Sequence, residues 1–107
     1  MAILSKAAIL AAHDLPTTEV EVPEWGGTVR LRALRVADLG RIRDAAGQSD
    51  DAFAFALVAA SLVGEDGEPL FGADDAEALA GKSLVAFRRV LVAALALNGL
   101  DGGLGKG

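Results

Sequence analysis

Few residues in this chain are able to do chemistry, and their spacing limits what that chemistry could be. The one histidine, His13, stands beside Asp14. Such a pair can orient a general base, but a nucleophile would have to arrive from elsewhere in the fold; at the end of a short helix, a histidine serves equally as a C-terminal cation. The carboxylate pairs Asp50-Asp51 and Asp74-Asp75 are adjacent in sequence. On a helix their side chains diverge, and each pair stands where a cap belongs. Glu65-Asp66-Gly67-Glu68 has the acidity of a calcium loop without its alternating ligands, and reads as a β-turn. Gly105-Lys106 looks like the end of a phosphate loop, yet the preceding glycines are at the wrong offset and no Ser or Thr follows the lysine. With no cysteine, disulfides and thiolate metal sites are excluded. The expectation is therefore no catalytic, cofactor-binding or metal-binding residue, and no enzyme.

The bulk composition points the same way. At 107 residues the chain makes one domain, and 15 acidic against 10 basic side chains give a formal net charge of -5. That balance disfavours nucleic acid and anionic membranes as partners. Arg30, Arg32, Arg35, Arg41 and Arg43 gather in mid-chain, but Glu19, Glu21 and Asp38 are near enough to neutralise most of them. No secretory signal pattern opens the sequence, so the expected address is a bacterial cytoplasm. Hydrophobic residues nonetheless make up 52% of the chain. The most apolar run, 84–97, is interrupted by Arg88 and Arg89 and falls short of the ~20 residues that span a bilayer. The surplus apolar surface has to be covered by protein.

Periodicity supplies the elements that must do the covering. Residues 1–15 read as a short helix, with Ser5 as a cap and a stop at Asp14-Leu15-Pro16. Over 17–34 strict alternation predicts two strands joined at Pro23-Glu24-Trp25-Gly26-Gly27. Val20 and Val22 share a face with Val29, Leu31 and Ala33; Glu19 and Glu21 can pair with Arg30 and Arg32 across a wet face. The stretch 36–99 reads as helical: 36–46, then a helix capped by Asp50 or Asp51 and running through Val63, a turn over 64–69, a short helix capped by Asp74 or Asp75, and a last helix from Ser83 to Asn98. Gly99 stands where a left-handed cap belongs, and 100–107 reads as a flexible tail. The fold class expected is α+β, an N-terminal β-hairpin followed by a predominantly helical part of about four helices.

The helix after Asp51 is apolar all round: Phe53 and Leu57 fall on one side, Phe55, Val58 and Leu62 on the other. It must be covered on both, either by the rest of the chain or by another subunit. In the last helix Leu84, Phe87, Leu91 and Leu95 form a stripe. Trp25 is the lone tryptophan, and it either folds back on the hairpin or anchors a neighbour. With Phe71, these residues are the candidates for protein–protein contact.

The order of motifs adds a resemblance. An N-terminal helix ending in Asp14-Leu15-Pro16, the hairpin from Glu19 to Leu34, then Ser61-Leu62-Val63-Gly64-Glu65-Asp66-Gly67-Glu68-Pro69-Leu70-Phe71, Asp74 to Leu79 and Leu97-Asn98-Gly99-Leu100 resemble, in sequence order, the tail assembly chaperones of long-tailed bacteriophages and prophages. The resemblance implies a non-enzymatic homo-oligomer that holds the tape measure protein until tail tube subunits polymerise around it. It also implies that Gly105-Lys106-Gly107 could mark a frameshift site for a longer product. A small connector subunit that stays in the finished particle is the alternative, because it too needs self-association. A small ligand-binding domain would need convergent polar groups, which the sequence does not supply.

Overall fold

The computed structural model of the chain describes residues 3–100. Alternation builds the sheet. Strands β1 (Thr17–Val22) and β2 (Gly27–Arg32) pair antiparallel, with Glu19 opposite Arg30 and Val20 opposite Val29. Period two turns Val22, Leu31 and Ala33 to one face, where all three are buried. The reversal between the strands is one 3-10 turn, Pro23–Trp25; the proline has no N–H to lose at the first position, and Gly26, at φ +78°, takes the left-handed conformation that ends it.

A third strand was not legible in the pattern. The apolar run predicts helix through Val63, but the chain turns extended at Leu62, and β3 (Leu62–Val63) pairs with β2, giving the order β1-β2-β3. Leu62 stands opposite Leu31 and extends its buried face, while Val63 stands opposite Arg30 on the other face; both are buried. The loop that follows folds back on this edge: the Gly64 N–H donates to the Glu68 carbonyl (2.8 Å), and the Leu70 N–H to the Leu62 carbonyl (3.1 Å). This covers part of the expected wet face. Glu19 and Arg30 pair at 3.0 Å as charge spacing predicts, but Arg32 stands opposite Thr17. Arg30 and Arg32 also donate to the Glu65 and Gly67 carbonyls, at 3.2 and 3.3 Å, so the arginines fasten the turn to the sheet.

The helices are set by their caps. Helix α1 (Lys6–Ala11) is shorter than the 1–15 expected; Ser5 Oγ accepts from the Ala8 N–H, and Ala12 is already extended. Helix α2 (Leu39–Gln48) follows a 3-10 turn, Val36–Asp38. Helix α3 (Asp50–Ser61) is capped by Ser49, whose Oγ accepts from the Ala52 N–H at 2.9 Å. Asp50 and Asp51 instead occupy its first turn, where negative charge meets the positive end of the helix dipole. The expected short helix is a 3-10 stretch, Ala73–Gly81, which begins with Asp75 accepting from the Gly72 N–H. Helix α4 (Leu84–Leu97) starts at Ser83, as predicted. It ends with Gly99 at φ +71°, the Leu100 N–H reaching back to the Leu95 carbonyl at 2.8 Å.

Helix α3 is the centre of the core. It packs against α2, the 3-10 stretch and α4, while α4 also covers β1 and β2. Residues 56–61 of α3 are all buried, so the chain itself covers most of the helix that the sequence left open to another subunit. Fully burying Leu57 and Val58 contributes roughly 1.5–3 kcal/mol each. The expected tail, and with it the phosphate-loop look-alike and the frameshift position at Gly105-Lys106-Gly107, lies outside the described residues from 101 onward.

Candidate functional site

The groups with catalytic potential do not converge. His13 and Asp14 lie on the exposed N-terminal segment, and Asp50, Asp51 and Asp75 stand at helix starts. Among the described residues no three His, Asp or Glu side chains group to hold a metal ion. Asp66, in the turn, accepts from the Glu68 N–H at 3.0 Å, a local turn bond.

The deepest charged group is Asp38, 3% exposed at the junction of β2 and α2. Its Oδ2 accepts from the Arg35 N–H at 2.9 Å, its Oδ1 from the Arg35 guanidinium at 3.1 Å, and Arg41 approaches to 3.7 Å. Burial pushes the Asp38 carboxyl up, but the hydrogen bonds from Arg35 and the charges of Arg35 and Arg41 outweigh it, holding the carboxyl below its ordinary range. The cluster fixes the 3-10 turn through which the chain passes from β2 into α2.

Another ion pair was invisible in the sequence. Glu24, at the hairpin tip, accepts two hydrogen bonds from Arg89 of α4, at 2.7 and 3.2 Å. The Arg89 guanidinium holds the Glu24 carboxyl below its ordinary value. The partners are 65 residues apart, beyond any local pattern.

The contact candidates divide by burial. Leu57, Val58, Leu62 and Phe87 are in the core, 0%, 0%, 2% and 8% exposed. Those four pack in the core of the folded chain. Trp25, Phe53, Phe55, Phe71, Leu91 and Leu95 are half-buried against that core. Only Leu84 is fully at the surface. Helix α4 also exposes Val85 and Val92, which the stripe through Leu84, Phe87, Leu91 and Leu95 does not contain.

Two concavities bring several candidates together. A groove of about 1100 Å³ runs between α2, α3 and the 3-10 stretch. Small residues such as Ala45, Ala52, Ala56 and Ala76 line it, with Phe55, whose ring meets Phe87 edge-on at 5.6 Å. Asp44, Asp51 and Glu77 line it too, with Arg41. A smaller apolar pocket of about 310 Å³ gathers Trp25, Leu62, Leu70, Phe71 and Leu79. The Trp25 Nε1–H is buried with no hydrogen-bond acceptor among the described residues. Thus the lone tryptophan folds back onto its own chain, between the hairpin and the 3-10 stretch.

No protein-family model matches the sequence, and no curated protein matches it. Among solved structures, the tail assembly chaperone of bacteriophage HK97 is similar at a TM-score of 0.57 and 27% identity, over 78% of this chain and 85% of that one. The fold and the order of motifs agree: the chain is similar to the tail assembly chaperones of long-tailed bacteriophages, and the similarity supports a role in tail assembly.

Proposed function

We propose that this chain is a tail assembly chaperone that self-associates and binds the helical tape measure protein in the cytoplasm of a bacterial host, without catalysis. The observation that carries the proposal is the likeness to the HK97 chaperone over most of both chains. What the molecule offers a partner supports it. Helix α4 exposes Leu84, Val85 and Val92 at 66%, 59% and 56%, with Arg88 exposed between them. At 1.5 Å rise per residue, Leu84 to Val92 present an apolar strip about 12 Å long. An amphipathic partner helix binds such a strip through residues three and four apart, and repeated copies along one long helix add avidity. Tail tube subunits would displace the copies as they polymerise.

Co-expression tests the partner. The tape measure protein encoded with this chain, carrying an affinity tag, should recover the chain from lysate, and Val85→Asp with Val92→Asp should abolish recovery while leaving the melting temperature unchanged. Full recovery of that double variant would remove α4 from the interface; failure to recover the unmodified chain would remove the partner.

A further inference from the structure

The N-terminal segment ahead of β1 contributes no buried residue to the core. Every residue from Ile3 to Thr17 is exposed, and α1 buries none of its own. Ile3, Leu4, Ile9 and Leu10 are 98%, 66%, 56% and 75% exposed, four large aliphatic side chains within eight residues. Single exposed apolar residues are ordinary on a protein surface, but such a cluster on a projecting segment marks a contact site. A helix of six residues is also marginal without tertiary contacts, so α1 needs a docking surface to persist.

We infer that α1 of one copy docks in the α2–α3 groove of a second copy, so that each copy gives one arm and receives another. This rests on the self-association in the proposed function and names the surfaces that perform it. Size agrees: a six-residue helix about 10 Å wide and 9 Å long occupies about 700 Å³, within the groove of about 1100 Å³. Shape agrees, because Ala and Gly in the groove let a helix backbone approach closely, and the aliphatic side chains of the arm can fill what the small residues leave. Charge agrees as well. Lys6 is the only charged residue of α1. In the groove Arg41 is turned to Asp38, while Asp44, Asp51 and Glu77 have no basic partner among the described residues. Reach is sufficient: the extended link 12–16 adds about 16 Å to the length of α1. The two surfaces differ, so the contact is heterologous, and with each arm entering the next copy it builds a ring or an open filament.

The absence of native cysteine makes the test direct. Leu10→Cys with Ala80→Cys, treated with a mild oxidant, should give a ladder of dimers, trimers and longer species on a non-reducing gel, whereas either single variant should stop at dimers. Light scattering should show that Ile9→Asp with Leu10→Asp loses the oligomer without a change in melting temperature. Lys6→Glu should weaken assembly at least tenfold, and adding Asp44→Lys should restore it. If the unmodified chain is oligomeric but the arm variant keeps its full mass and the cysteine pair gives no ladder, the arm–groove contact is wrong and self-association stands. If the unmodified chain is monomeric at every concentration, both fail.

Discussion

Asp38 shows how one residue determines an element's position. A buried carboxylate is costly unless paired, and here two arginines and a backbone N–H hold it at the entrance to α2. Its pairing could be guessed from the sequence as part of a neutralised arginine cluster, but its burial could not, because Asp38 lies at the start of a helix whose other polar residues face solvent. The sign of its pH effect follows from the lowered carboxyl. Folding is fully favoured by the pair above the ordinary value of 3.8, and that contribution is lost as pH falls below 3.8 through the depressed folded value. Asp38→Asn should therefore cost about 2 kcal/mol at neutral pH, and the gap between variant and unmodified chain should shrink as pH falls below 4. Denaturant titrations at several pH values check this; a gap that stays constant into acid would mean the carboxylate is not paired in solution.

At the scale of elements, caps and alternation were legible and long-range pairing was not. Ser5, Ser83 and Gly99 act where the sequence places them because caps depend on neighbours within four residues. Strand β3 is two residues long, too short to show a period, and its pairing depends on β2, some thirty residues earlier in the chain. The same limit applies to the candidate surface. An all-apolar helix says that both faces are covered but not by what, and the fold covers most of α3 itself. Leu57→Ala should then destabilise the chain by about 3 kcal/mol and lower its melting temperature by more than 10 °C. Leu84→Asp, on the exposed end of α4, should leave it within about 0.5 kcal/mol. Equal losses at the two positions would contradict the division between core and surface.

For the whole molecule, the features outside the core fit the proposed role as a transient partner of a long helix: an apolar strip on α4, a groove lined with small residues and acids, and an N-terminal arm whose helix buries none of its residues. The described residues measure 48 × 31 × 29 Å, elongated as a body with a projecting arm would be. The order of motifs pointed to this class of protein before any contact was visible, whereas the arm's isolation could be seen only in the fold, because an Ala-rich amphipathic segment reads the same whether it packs on its own chain or on another. The most direct measurement of the central proposal compares two stages of assembly. Mass spectrometry of material recovered on a tagged tape measure protein should find this chain in several copies before tail tube polymerisation and find it absent from finished particles. Equal abundance at both stages would make it a structural subunit, and absence at both would contradict a chaperone of the tape measure protein.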